Sequence, residues 1–471
     1  MSDLLNTLEK YNQSHLMKYF SELNAEEQQN LTAELESINF DNIAKLTAEY
    51  VLKQPETHIP ADLSPAPFFG LNSKNDAEKE LYSQALEKGI ELLKAGKVAA
   101  LTVAGGQGTR LGYDGPKGTY PISPVENKTF FQYYAETILR IREKYNCDFK
   151  WYVMTSILNN DATIQHFEEN NYFGLDQDSV MFFAQGTMPC IGYDGKLLLN
   201  SKSSLAKNPD GHGGTLLALK KSGALAEMAQ NGVEYISYFQ IDNPLVTIAN
   251  ELFIGLSALK DSEMSAIMLA KTNAFEKLGN FCVSDNKLSI IEYSDMPEEL
   301  ATATDENGVL KFIAGSPAIH IISREFVERL TADGTLNLPW HRADKKVPCL
   351  NEEGVLATPK TENAVKLEAF IFDALPLASK TLILEADRNS EFAPTKNQTG
   401  VDSVESCRDM LMERDAKWLE NAGVTVPRNE DGALDCKIEL SPLKFIDAED
   451  VKNYCASNTV NISAEDSIYL S

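Results

Sequence analysis

Apolar positions in the first fifty residues recur at helical spacing: Leu4, Leu5, Leu8 and Tyr11, then Leu16, Tyr19, Phe20 and Leu23. With Asn24-Ala25-Glu26-Glu27 as a start signal, this spacing predicts a helical N-terminal cap, because a 3.6-residue period places such positions on one face. The stretch from Pro55 to Asn72 holds four prolines and many turn formers, which predicts a linker lying over the next domain. A second helix is expected from Ala77 to Ala95. From Val98 the pattern changes to short β-branched and aromatic runs (VAALTVA, FKWYVMTS, VMFFAQ, YISYFQI, SAIMLAKT), with amphipathic segments such as TFFQYYAETILRIREKY between them. That alternation predicts an α/β fold with a mostly parallel, doubly wound, Rossmann-like sheet. Ligands of such sheets lie beyond the carboxyl ends of the strands, so chemistry is expected in the loops that follow them. After Ser379 the pattern breaks again, and a helix from Ser403 to Asn421 with the strand-like KIELSPL predicts a smaller C-terminal domain. The expected division is a helical region and linker over 1–95, a catalytic α/β domain over 96–378 and a C-terminal domain over 379–471.

Composition narrows the function without changing this picture. Apolar residues at 43% and charged residues at 24% exclude a disordered or collagen-like chain. The 43 basic and 69 acidic side chains leave a net charge of -26, a surface that repels nucleic acid and anionic lipid, so neither is expected as a partner. An anionic ligand must then be held by a local device. The seven cysteines form no C-x-x-C pair, the opening residues lack the pattern of a signal peptide, and no stretch reaches the ~18 apolar residues of a membrane span. A cytoplasmic location is expected.

The local device stands directly after the first strand of the α/β region. In Val103-Ala104-Gly105-Gly106-Gln107-Gly108-Thr109-Arg110-Leu111-Gly112, closely spaced glycines let the backbone approach a ligand with several N–H groups pointing one way. It reads as a phosphate cradle, and Arg110 and Lys117 (in Pro116-Lys117-Gly118) add two cations. No G-K-[ST] follows, so it is not a Walker A loop. Leu111 stands where the third glycine of a dinucleotide fingerprint belongs, which disfavours a nicotinamide dehydrogenase. Asp242 ends the run YISYFQI, where a carboxylate serves equally as a metal ligand or as a turn residue.

GGQGTRL followed by PKG resembles the nucleotidyltransferases that make UDP-sugars, and in detail the eukaryotic-type UDP-N-acetylhexosamine pyrophosphorylases. The resemblance extends through AEEQQNLTAELESINF, VMFFAQGTMPC, NPDGHGGTLLAL, YFQIDNPLV, IIEYSDM, AGSPAIH, KLEAFIFD and SEFAPTKN. It implies in-line attack of a sugar 1-phosphate on the α-phosphate of UTP, with release of pyrophosphate and no covalent enzyme intermediate. It further implies that Val103, Ala104, Gly105 and Gly106 take the UTP, Arg110 its outer phosphates and Lys117 the attacked phosphate. Lys366 and Lys396 match two further phosphate-reaching lysines, and Asp242 matches the Mg²⁺ ligand. Gln185 and the backbone at Gly211 are expected to read uracil. The sugar is assigned to His212, Glu292, Tyr293, Ser316, Phe370 and Phe372.

Two departures from the family pattern stand out. His212 replaces a typical Asn, and Gly315-Ser316-Pro317-Ala318-Ile319-His320 replaces Gly-Asn-Ile-Ala-Asn-His. The leading expectation is synthesis of UDP-N-acetylglucosamine. The alternatives are another sugar 1-phosphate such as glucose 1-phosphate, and a non-catalytic nucleotide-sugar sensor.

Overall fold

The computed structural model describes residues 2–54 and 59–471, so the first residues of the expected linker, 55–58, lie outside the described residues. By internal contacts the chain forms two units, each assembled from separate stretches. Met1–Ile59, Gln185–Thr215 and Asn337–Ala374 make the smaller one; Pro60–Ala184, Leu216–Leu336 and Leu375–Ser471 make the larger. The sequence reading instead divides the chain in sequence order.

The larger unit is built on an eleven-stranded sheet. Its path runs Ser64–Pro65, Gly279–Ser284, Ala314–Ser316, Met264–Ala270, His320–Ser323, Tyr235–Gln240, Val98–Val103, Trp151–Thr155, Val180–Ala184. Lys287–Ile291 joins at Gly279–Ser284, and Thr381–Glu385 joins at Met264–Ala270. The last four strands of the path pair in parallel, and Val98 to Leu101 are buried, as befits strands covered on both faces.

The expectation of a mostly parallel sheet fails on the other side. His320–Ser323 runs antiparallel to both of its neighbours, Tyr235–Gln240 and Met264–Ala270. Gly279–Ser284 and Lys287–Ile291 form a hairpin whose turn residues Asp285 and Asn286 have φ of 48° and 57°, the left-handed pair that a tight hairpin turn requires. The sheet is therefore mixed. Thr381–Glu385, read in sequence as the beginning of a separate C-terminal domain, is a strand of this sheet, parallel to Met264–Ala270. The proline-rich stretch, expected as a linker lying over the next domain, is bonded to this sheet: Ser64–Pro65 pairs with Gly279–Ser284, and Phe69 bonds to Ile383 and Glu385.

Helices cover the sheet as their apolar faces dictate. Phe130–Tyr145 begins at Thr129, whose side chain accepts from Gln132 N, and buries Phe130, Phe131, Tyr134, Ile138 and Ile141. Asp76–Lys94 and Glu251–Leu259 meet through glycines: a Cβ on Gly89 would overlap the Glu251 carbonyl, and one on Gly255 the Ala85 carbonyl. Toward the C-terminus, Val404–Asn421 packs Ala416 and Leu419 against Ile438, Leu440 and Phe445, beside a parallel pair of strands, Lys437–Leu440 and Ser467–Leu470.

In the smaller unit, helices Ser2–Lys10, Ala25–Glu36 and Phe40–Leu46 pack Leu4, Leu8, Leu31, Leu35 and Phe40 against Ile191, Leu199, Val365 and Leu367. The expected helix start is present as a reciprocal cap: Asn24 accepts from Glu27 N at 2.9 Å, and Glu27 accepts from Asn24 N at 3.0 Å. The stretch through Leu16 and Phe20 forms short 3-10 turns rather than one helix. Buried Gln13 fastens this region to a turn, donating to Gly195 O at 3.0 Å and accepting from Leu197 N at 2.9 Å. Among the described residues no helix is long and apolar enough to cross a membrane.

Candidate active site

Within the larger unit, Val103 pairs with Gln240, so the glycine loop and the segment bearing Asp242 leave adjacent parallel strands at one level. Ala104 N donates to Met154 O at 2.7 Å, which continues the sheet by one residue before the loop turns away. The N–H groups of Gly105, Gly106 and Gln107 donate to no acceptor among the described residues. A Cβ on Gly106 would meet nothing within 4 Å, so open space lies against the loop. Such a row of unpaired donors is the feature an anion binds.

Lys117 is tied to the same loop, its N–H donating to Gly106 O at 3.0 Å. Its ammonium donates to Asp242 Oδ2 at 3.2 Å and to Thr395 O at 3.1 Å, and Thr395 N donates back to Asp242 O at 2.9 Å. Both ionic side chains are largely buried, at 14% and 13% exposure. The next residue, Asn243, fixes this corner: it donates to Glu391 O at 2.8 Å, accepts from Ala393 N at 2.8 Å, and its carbonyl takes the Tyr134 hydroxyl at 2.7 Å. Val103 to Gly106, Lys117 and Asp242 are thus brought together as the sequence suggests. Lys396 adjoins Thr395 and is half-exposed, 3.8 Å from Asp402. Arg110 is exposed, with no partner for its guanidinium among the described residues.

Asp242 Oδ1 makes no hydrogen bond, and no group of three or more His, Cys, Asp or Glu gathers anywhere among the described residues. One free carboxylate oxygen suits a hard cation that completes its shell with phosphate oxygens and water; it does not suit zinc.

Farther along the sheet, the register pairs Gly279 with Ser316, and a Cβ on Gly279 would lie 3.5 Å from Glu292 Oε1, so these three residues share a face. Tyr293 beside them is 45% exposed. The Ser316 hydroxyl accepts from Ala318 N at 3.3 Å, inside a turn that holds Ala318 at a φ of 59°. Ile319 is buried in the core of the larger unit, which explains an apolar residue where the family pattern has an amide.

The smaller unit carries a second group of the expected residues. Gln185 is buried, yet its amide makes no hydrogen bond among the described residues, leaving a donor and an acceptor unused. Gly211 has a φ of 87°, and its Cβ would overlap Ala369 O; Gly213 donates to the same carbonyl at 2.8 Å. Close packing against 369–370 therefore already requires these glycines. The His212 ring stacks on Phe370, with centroids 5.1 Å apart, and Phe370 stacks on His341 at 4.0 Å. Phe372 tilts against Phe370 at 5.2 Å.

His212 Nδ1 accepts from Ile371 N at 3.1 Å, while burial, reinforced by His341, pushes its pKa down to about 4. The ring is neutral with its proton on Nε2, which leaves that nitrogen a donor. Lys366 is half-buried with no ion-pair partner among the described residues. Sequence reasoning missed His341 and Asp373, which bond at 2.8 Å. Asp373 ends the run Phe370-Ile371-Phe372-Asp373 and could have been flagged there; nothing local marks His341.

A family model described as UTP–glucose-1-phosphate uridylyltransferase matches residues 39–468. The chain is 32% identical over 480 residues to the probable UDP-N-acetylglucosamine pyrophosphorylase of Dictyostelium discoideum, covering 98% of this chain and 97% of that protein. It is 33% identical over 454 residues to the UDP-N-acetylglucosamine pyrophosphorylase of Saccharomyces cerevisiae, covering 92% and 94%. The crystal structure of the uridine diphosphate N-acetylglucosamine pyrophosphorylase from Trypanosoma brucei, in complex with an inhibitor, matches with a TM-score of 0.79 at 26% identity, covering 97% and 95%.

Proposed function

Because the chain belongs to the UTP–glucose-1-phosphate uridylyltransferase family, we infer that it transfers uridylyl from UTP to N-acetylglucosamine 1-phosphate, forming UDP-N-acetylglucosamine and pyrophosphate. It is a nucleotidyltransferase. A phosphate oxygen of the sugar 1-phosphate forms a bond to the α-phosphorus as the bond from that phosphorus to pyrophosphate breaks, so charge has to be positioned and neutralised and no protein nucleophile is needed.

The observation that supports this reading most is the row of free N–H groups at Gly105, Gly106 and Gln107, beside the Lys117–Asp242 pair. In it the loop N–H groups hold UTP phosphate oxygens, Arg110 and Lys396 hold the outer phosphates, and Lys117 stabilises charge on the attacked phosphate. Asp242 would hold the divalent cation of the reaction, Mg²⁺ in our reading, which when bound supplies charge neutralisation to the phosphates. Gln185 and the Gly211 backbone read uracil, and Lys366 contacts phosphate. His212, Glu292, Tyr293, Phe370 and Phe372 take the sugar, His212 as a donor. Ser316 contributes least, since its hydroxyl already accepts within its own turn. In this reading a Rossmann-like fold carries the catalysis, and seven free cysteines suit a cytoplasmic enzyme.

Pyrophosphate release from UTP, measured with and without Mg²⁺ across the 1-phosphates of N-acetylglucosamine, N-acetylgalactosamine, glucose and galactose, tests this. The N-acetylated glucose should turn over fastest, with measurable release from a second sugar because Ser316 offers no amide. Activity on glucose 1-phosphate alone would replace the substrate assignment. Absence of release from every sugar would mark a sensor.

A further inference from the structure

Asn159 occupies the N-cap of helix Asn160–Glu169, yet its side chain makes no bond to that helix. A capping asparagine ordinarily accepts from the first-turn N–H groups. Here the amide is turned the other way. Nδ2 donates to Ala104 O at 2.9 Å and to Gly106 O at 3.2 Å, while Oδ1 accepts from Ser156 N at 2.8 Å and from Ser156 Oγ at 3.0 Å. Both hydrogens and both lone pairs are engaged, and the residue is 1% exposed. The flipped amide is excluded, since it would set an oxygen against two carbonyls and an NH₂ group against an N–H donor.

The consequence follows from peptide geometry. In a planar trans peptide the C=O and the N–H of the same unit point in opposite directions. Holding the carbonyl of Ala104 toward Asn159 turns the N–H of Gly105 away from it, and holding the carbonyl of Gly106 does the same to the N–H of Gln107. These are two of the three unpaired donors of the glycine loop. The Gly106 carbonyl also accepts from Lys117 N at 3.0 Å, so one oxygen joins Asn159 to the residue whose ammonium lies on Asp242.

We propose that Asn159 is a positioning residue of the uridylyl transfer: it aims the Gly105 and Gln107 N–H groups at the anionic phosphates of the nucleotide and steadies Lys117 through Gly106. This rests on the reading of the loop as the UTP phosphate cradle. It assigns the asparagine to nucleotide handling and not to the sugar.

Three variants test it in the full-length protein: Asn159→Ala, which frees both carbonyls; Asn159→Asp, which keeps the shape and the acceptor but loses the donor; and Ser156→Ala, which removes one of the four bonds. UTP binding to the wild type is measured first, by calorimetry with Mg²⁺. If the wild type does not bind UTP, the cradle reading itself falls, and the proposal with it. Given binding, the UTP KM should rise by ~10- to 100-fold in Asn159→Asp and somewhat less in Asn159→Ala, the effect of two mis-aimed hydrogen bonds to a charged ligand. Ser156→Ala should shift it in the same direction by a smaller factor, and the KM for sugar 1-phosphate should stay within about twofold throughout. A folded Asn159 variant with wild-type UTP KM, or one in which both KM values move together with the melting temperature, overturns the proposal. If neither Asn159 variant folds, an unchanged UTP KM in Ser156→Ala overturns it.

Discussion

Gly106 and Gly118 lack a side chain for opposite reasons. A Cβ on Gly118 would overlap the Phe131 ring, whereas one on Gly106 would meet nothing in the protein. Gly106→Ala should therefore leave stability within ~1 kcal/mol of the wild type, yet raise the UTP KM about tenfold or more because the methyl occupies space needed by a phosphate; thermal melts and initial rates on one preparation check both halves. Lys117→Ala should lower kcat by ~10²-fold or more while changing UTP affinity much less, since a fixed cation gains most as charge develops on the attacked phosphate. Single-turnover rates beside equilibrium binding read that split. His212 supplies a test by pH. Its folded pKa of about 4 lies below the unfolded value, so its contribution is complete above roughly pH 6.5 and is lost as pH falls toward 4, by up to about 3 kcal/mol. Unfolding free energies from urea melts should fall between pH 7 and pH 4.5 by about 2 kcal/mol less in His212→Asn than in the wild type. At this scale the proximity of the loop, Lys117 and Asp242 was legible because glycine spacing and strand ends are local signals, whereas Arg110 stands exposed and apart from Asp242. Asn159 and the His341–Asp373 pair were not legible, because their meaning lies in partners far along the chain.

Among the elements, the crossing of Asp76–Lys94 with Glu251–Leu259 depends on Gly89 and Gly255, each in contact with the other helix's backbone. Gly255→Ala should cost ~3 kcal/mol or more by forcing the helices apart, with little change in KM for either substrate; chemical denaturation and steady-state kinetics check the two statements. The runs at Val98, Trp151, Val180, Tyr235 and Met264 were readable in sequence, because burial on both faces leaves a strong composition signal; His320–Ser323 and Thr381–Glu385 were not read as strands. Strand direction was not readable either. Whether His320–Ser323 enters parallel or antiparallel depends on which neighbours it finds, and Thr381–Glu385 looks like any short strand until it is seen beside Met264–Ala270. The hairpin at Asp285-Asn286 did carry a local sign, a pair of residues tolerant of positive φ between two apolar runs.

At the scale of the whole molecule, the sequence reading divides the chain into three consecutive parts, whereas its internal contacts gather it into two units. Each unit is woven from three stretches, and no compositional break marks the passages at residues 184, 215, 336 or 374. That weaving sets an order of events during synthesis. Leu4, Leu8, Leu31, Leu35 and Phe40 are made well before the strand that brings Val365 and Leu367 to cover them, which is made last among the parts of their unit. At roughly 5–20 residues per second, translation of the intervening chain takes on the order of 15–60 s. For that interval the N-terminal helices carry an apolar face that Ile191 and Leu199 cover only in part, while the larger unit is also still growing. The apolar face of these helices is accordingly made early within its unit and finishes burying late.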